Sequence, residues 1–250
     1  MKLLISLLLL CSLGKFAFTQ NVTILEKGIK LPSCNDCPFE MIQNGLDYSR
    51  FEKVAQLEGK FIKAEEGSIE KLFSTFRYKS NKMGANAYRF DTIIDNKAVI
   101  TLHLSIYCLQ DSILKKNNSY RNKNEVYLFG PLDKTKNTVI AKINNENSSF
   151  EPLHFKKYKL KNKEKISLKV GKLFGNNHTL IGSENANSVY CKLGKFTGRV
   201  TNNYAPNKNT IGIRIGEMGY NGSAYGFNSG DISQIEDDLG LFLSNILTEN

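Results

Sequence analysis

From Ile100 to Cys108 apolar and polar residues alternate without a break. Ile100, Leu102, Leu104, Ile106 and Cys108 fall on one side, and Thr101, His103, Ser105 and Tyr107 on the other. A strand sends successive side chains to opposite faces, so this period of two predicts an antiparallel strand with one face in a core. Cys108 is expected to point inward with the apolar set and His103 outward. The stretch before it predicts the strand's partners. Ser68 stands as an N-cap, with Glu65 and Glu66 before it and Glu70 in the first turn, where carboxylates favour the helix dipole. Ile69, Leu72, Phe73, Phe76 and Met83 follow at helical spacing, and Lys79 and Lys82 suit the carbonyl end. Gly84 then supplies a left-handed stop. Small residues at Ala85 and Ala87 let the chain turn back into a strand over 88–94, and Asp95-Asn96-Lys97 carries the turn to the alternating strand.

The remainder predicts a less regular order. Residues 20–50 are irregular, with a short helix around 39–44, and 52–64 form a strand leading into the helix. Residues 111–123 make a polar Lys/Asn-rich loop, and 125–129 a short strand closed by Gly130-Pro131. From 138 onward short strands over 139–143, 154–160, 165–170, 179–181 and 189–193, separated by Gly/Asn turns, suggest a small sandwich or barrel. Ile211, Ile213 and Ile215 alternate, and a glycine-rich passage over 216–230 interleaves Tyr220, Tyr225 and Phe227. Asp231 and Gln234 form a capping pair for a last helix with Ile232, Ile235, Leu239, Phe242, Leu243, Ile246 and Leu247 on one face. Glu236, Asp237 and Asp238 lie opposite. The expected class is α+β: an N-terminal strand-helix-strand-strand unit, a mostly antiparallel β region and a C-terminal amphipathic helix. The expected division is a signal peptide over 1–19, an α+β domain over 20–135 and a β-rich region over 136–250. No linker marks the boundary, and a single domain fits the same pattern.

The helix that ends in Met83-Gly84-Ala85-Asn86-Ala87 and runs into a strand resembles a pattern of bacterial envelope domains. It is similar to the small domain of the Rcs stress-sensing outer-membrane lipoprotein, to heavy-metal-binding domains of that shape, and to secreted proteins of Bacteroidota. The resemblance covers about 45 residues, over 65–109. It implies an α+β envelope domain, no particular activity and no residue roles.

The N-terminus predicts export. Met1-Lys2 begins a positive n-region, residues 3–13 are almost wholly apolar, and Ala17 and Thr19 suit cleavage before Gln20. The apolar run is too short to cross a bilayer. Cys11 raises lipidation as an alternative, although Leu10 stands where a lipobox wants a small residue. Removal of 1–19 takes away Lys2 and Lys15 and lowers the formal net charge from +10 to +8. No later segment has the length or apolarity of a transmembrane helix.

Four cysteines remain, Cys34, Cys37, Cys108 and Cys191. In an oxidising compartment an even count suggests disulfides, and we expect Cys34 with Cys37 and Cys108 with Cys191. Buried thiols are the alternative for the second pair. The Cys34-Asn-Asp-Cys37 motif also admits a redox pair or half a zinc site, but a redox pair usually opens a helix after a strand, and no second CxxC or HxxxH completes a zinc site.

The search for chemistry is mostly negative. His103, His154 and His178 share no metal spacing, and no GxSxG, HExxH or Walker motif occurs. No cofactor, metal or catalytic residue is therefore expected. Lys156, Lys157, Lys159, Lys161, Lys163 and Lys165, continued by Lys169 and Lys172, are the strongest charge feature. Alternating lysines solvate a strand face and discourage edge pairing. Functionally they suit an anionic envelope surface or glycan, whereas export and the shortage of arginine in this run disfavour nucleic acid. Sequons at Asn21, Asn117, Asn147, Asn177 and Asn221 carry no meaning in a bacterial chain, which the Lys/Asn/Ile-rich composition suggests. The expectation is an exported envelope or extracellular protein that binds or builds. An enzyme acting on an envelope polymer and a thiol-redox protein using Cys34 and Cys37 are the alternatives.

Overall fold

The computed structural model describes residues 22–35, 37–171, 177–195 and 230–250. The signal peptide with Cys11, the alternation over 211–215, the glycine-aromatic passage to residue 229, Lys172 and the sequons at Asn21 and Asn221 lie outside the described residues.

The alternating strand lies at the centre of a five-stranded sheet. Its members are β1 (Thr23–Lys27), β2 (Glu40–Met41), β3 (Lys53–Ile62), β4 (Ala87–Asp95) and β5 (Val99–Tyr107), in the order β1-β3-β5-β4-β2. β4 and β5 form the expected hairpin, with Ala87 opposite Tyr107 and Asp95 opposite Ile100. Ile100, Leu102, Leu104 and Ile106 are buried against α1 (Ser68–Lys82), which turns Ile69, Leu72, Phe73 and Phe76 onto them. Each such side chain contributes about 1.5–3 kcal/mol relative to exposure. Ser68 is the first helical residue rather than the cap, which falls on Gly67. The Ser68 hydroxyl instead accepts the Ile62 N–H at 3.0 Å and ties the helix start to the end of β3. Gly84 takes φ 77°, and the Ala85 N–H reaches back to the Ser80 carbonyl at 2.9 Å, closing the helix in the manner expected of a left-handed stop.

Two local expectations fail for tertiary reasons. The helix expected around 39–44 is instead β2, paired in parallel with β4. The loop expected over 111–123 contains α2 (Asp111–Ser119). Its asparagines are poor helix formers, but Asn117 accepts the Gln43 N–H at 2.8 Å and donates to the Met41 carbonyl at 3.0 Å, while Leu114 is buried. Contacts distant in sequence hold this helix, so local composition hides it.

The remaining elements are β6 (Glu125–Phe129), β7 (Val139–Ile143), β8 (Glu146–Phe150), β9 (His154–Lys159), β10 (Lys165–Val170), β11 (Asn177–Ile181), β12 (Val189–Lys195), β13 (Gly230–Gln234), α3 (Asp237–Ile246) and β14 (Thr248–Glu249). They make a four-stranded sheet β11-β10-β7-β8 and a five-stranded sheet β13-β12-β6-β9-β14. The two sheets share a core in which Leu128, Cys191 and Leu193 meet Ile166, Leu168 and Leu180. The last helix was expected to begin at Asp231, yet residues 230–234 pair with β12 and the helix starts at Asp237. Ile232 and Ile235 read as one helical stripe, but Ile232 enters the sandwich core and Ile235 packs on the other.

That other core joins the two halves. Phe242 of α3 meets Phe73 at 5.0 Å and Phe90 at 5.4 Å between ring centroids. The same cluster takes in Tyr127, Phe129, Phe155 and Tyr190 from the outer face of the second five-stranded sheet. The layers are therefore sheet, helices, sheet, sheet, and one core draws on residues from both sides of position 135. The fold is α+β. Among the described residues no helix is long and apolar enough to cross a membrane.

Candidate functional site

Cys34 and Cys37 form the expected disulfide, with Cα atoms 5.8 Å apart. It is docked on the C-terminal end of α1: the Cys34 N–H donates to the Asn81 carbonyl at 2.8 Å, and the Asn81 amide donates to the Cys37 carbonyl at 3.2 Å. A redox thiolate gains from a helix N-terminus, and this is the opposite pole. The pairing expected of Cys108 and Cys191 does not form; both are free thiols. β5 ends at Tyr107, so Cys108 escapes the alternation and is exposed. Cys191 lies inside the sandwich, as its neighbours Val189 and Leu193 imply, and burial pushes its thiol up to about 12.

The six lysines do not share one face. Lys156 and Lys157 are neighbours on β9 and point to opposite sides. Lys156 lies over the Phe150 ring and donates to the Ser148 hydroxyl at 2.8 Å. Lys157 pairs with Glu249 at 3.4 Å and Lys159 with Glu125 at 3.8 Å. Lys161, Lys163 and Lys165 are exposed at the turn into β10 and at its first residue. Of the histidines, His103 is half-buried and bonded to Glu58 Oε2 at 3.0 Å, and His154 Nδ1 lies 2.8 Å from the Pro152 carbonyl. Among the described residues no group of three His, Cys, Asp or Glu is placed to hold a metal ion.

A polar cleft lies elsewhere, where β2, the end of α2, the start of β12 and the start of α3 converge. Its volume is about 240 Å³, and Asn118, Arg121, Asn122, Asn187, Ser188, Tyr190 and Asp237 line it. The fold brings these together through specific ties. Lys123 and Asn187 form a β-bridge, and the Ser188 hydroxyl donates to the Asn122 carbonyl at 2.9 Å. The Ile235 N–H donates to the Tyr190 carbonyl at 3.0 Å, which sets α3 against β12. Gly240 is required at that contact, because a Cβ there would lie 2.1 Å from the Tyr190 ring. Tyr190 is in turn stacked on Tyr127, at 4.8 Å between centroids.

Arg121 is the centre of the cluster. Its Nη2 reaches Asp238 Oδ1 at 2.8 Å and Glu40 Oε2 at 3.5 Å, and its side chain is only 17% exposed. Burial alone would lower the Arg121 pKa, but Asp238, Glu40 and Asp237 outweigh it and raise it. Burial pushes all three carboxyls up against the opposing pull of Arg121. Glu236 is held separately, in a two-pronged pair with Arg77. The acidic residues expected opposite the apolar stripe of the last helix instead anchor two arginines, Glu236 holding Arg77 and Asp238 holding Arg121. The cluster is also incompletely satisfied. Among the described residues Asn118 Oδ1, Arg121 Nε and the Tyr88 hydroxyl are buried without a hydrogen bond, and Glu40 Oε2 is held by its ion pair with Arg121 alone. Tyr88 is wholly buried beneath the cluster, and its phenol is raised by burial first and by Asp238 second.

None of the lining residues was singled out as a site from the sequence. One signal was present: the chain has only six arginines among its many lysines. Arginine is favoured over lysine where a fork of donors must sit among buried carboxylates. With this geometry in hand, comparison with known proteins adds nothing to it: no family model matches the chain, and no curated protein or solved structure matches it either.

Proposed function

We infer that the chain is an exported bacterial envelope or extracellular protein that binds a ligand without transforming it, and that the Arg121 cleft is where it binds. The leader over 1–19 supports export, and the Cys34–Cys37 disulfide is consistent with an oxidising compartment. The observation that carries the binding reading is the cleft itself, a space of about 240 Å³ in which Asn118, Asn122, Asn187, Arg121 and Asp237 converge from separate segments. A concave site with several convergent polar groups is where a ligand gains orientation and specificity.

Convergent carboxylates with raised pKa favour a second reading, an enzyme acting on an envelope polymer. Glycoside hydrolysis needs two carboxyl groups flanking the scissile bond. Of the three here, only Asp237 lines the cleft, while Glu40 and Asp238 are engaged by Arg121. This weighs towards binding. Incubating the exported protein with cell-envelope glycan separates the two: retention of glycan with no new reducing ends is expected, and reducing ends lost in Asp237→Asn would establish the enzyme instead.

A further inference from the structure

The chemistry of the cleft also narrows its ligand, given the reading that the cleft is a binding site. We propose that it seats a neutral, hydroxyl-rich ring, a single uncharged sugar unit or the end of a neutral glycan chain. Three observations carry this.

The first is charge. Arg121 and Lys123 stand against Glu40, Asp237 and Asp238, and burial biases these three carboxyls towards their neutral forms, so the cleft carries little net charge. An anion entering here would be desolvated beside three carboxyls that burial already disfavours as charges, and a cation would be desolvated beside Arg121. A neutral polyol meets neither cost. The second is donor and acceptor balance. The lining offers amides from Asn118, Asn122 and Asn187, a carboxyl from Asp237 and a guanidinium edge from Arg121. The lining therefore presents donors and acceptors together. A hydroxyl donates and accepts at once, so vicinal hydroxyls can satisfy both. The third is size. At about 240 Å³ the cleft falls below the range of roughly 300–1,000 Å³ for drug-sized ligands, which suits one ring.

The test is saturation-transfer NMR on the exported chain with two panels: methyl glycosides of glucose, galactose, mannose and N-acetylglucosamine, and the uronic acids of the first three. At least one neutral glycoside should bind, its uronate at least tenfold more weakly, and Asp237→Asn and Asn118→Ala should each weaken it tenfold or more. Asp237→Asn removes a disfavoured charge without changing shape, so it keeps the fold and the result interpretable. Uronates that bind at the cleft as well as or better than neutral sugars overturn this inference and leave the binding reading intact. Silence from both panels overturns the inference, and silence from whole-envelope glycan as well overturns the binding reading with it. Binding that both variants leave unchanged places the ligand outside the cleft and overturns both.

Discussion

Two polar clusters in this protein are built from similar residues and behave differently. On the outer face of the first sheet, Glu58 bonds His103 at 3.0 Å and Lys60 at 3.1 Å. Beside them Asp91 Oδ2 accepts from Ser105 at 2.7 Å and from Gln56 at 2.9 Å. These are cross-strand neighbours on β3, β4 and β5, fixed by register, and their partners come from the same sheet. The Arg121 cluster draws on segments from Glu40 to Asp238, lies deeper, and among the described residues leaves Asn118 Oδ1, Arg121 Nε and the Tyr88 hydroxyl buried without a hydrogen bond. A sheet satisfies its own polar groups because neighbours arrive in register. A junction of loops and helix ends does so only where packing allows, and the remainder is left for water or a ligand.

The contrast can be broken most forcefully at Arg121. Arg121→Ala leaves Glu40 and Asp238 buried without their cation and should cost about 3–5 kcal/mol in urea unfolding. A loss below about 1 kcal/mol would mean that the cluster is wetter than its burial implies. Gly240→Ala forces a methyl into the Tyr190 ring and should cost about 1–3 kcal/mol by the same measurement, disturbing the cleft wall without altering any charge. Replacing Cys34 and Cys37 together by serine opens a very short loop, whose chain entropy is worth about 2 kcal/mol in urea unfolding. On the self-satisfied side, Glu58→Gln or His103→Gln should cost only about 0–1 kcal/mol, since the pair is partly exposed.

The two clusters also carry opposite pH slopes. Hydrogen bonds from His103 and Lys60 lower the Glu58 pKa below its ordinary 4.5, so its contribution is present above that value and is lost as acid carries the pH down through the folded value. Burial raises Asp237 above its ordinary 3.8, so its contribution is present below 3.8 and is lost as the pH rises through the folded value. Asp237→Asn should therefore gain on the wild type as pH rises above 3.8, and Glu58→Gln should fall behind it over the corresponding rise. Unfolding free energies at several pH values check both signs, and parallel curves would remove the distinction.

The same contrast explains what could be read from the sequence. The helix and hairpin over 65–109 obey local rules: a period of 3.6 at Ile69, Leu72, Phe73 and Phe76, a period of two at Ile100 to Ile106, and a glycine stop at Gly84. These were legible because neighbours in sequence are neighbours in space. The Arg121 cleft was not legible. Glu40, Asn118, Arg121, Asn187 and Asp237 are scattered along the chain and share no spacing. Two of the elements that gather them, β2 and α2, were read as something else, because pairing with β4 and the bonds of Asn117 form them. The run of lysines was conspicuous, yet strand alternation divides it between two faces and acidic partners occupy part of it. The failed Cys108–Cys191 pairing has the same origin, since a strand that ends one residue early changes where Cys108 points.

The most direct test of the account follows the side-chain amide resonances of Asn118, Asn122, Asn187 and Gln56 by NMR while envelope glycan fragments are titrated into the purified protein. The account predicts saturable shifts at the three cleft asparagines and none at Gln56, whose amide already serves Asp91. Shifts centred on Gln56 and the outer sheet face, with the cleft asparagines unmoved, would contradict it.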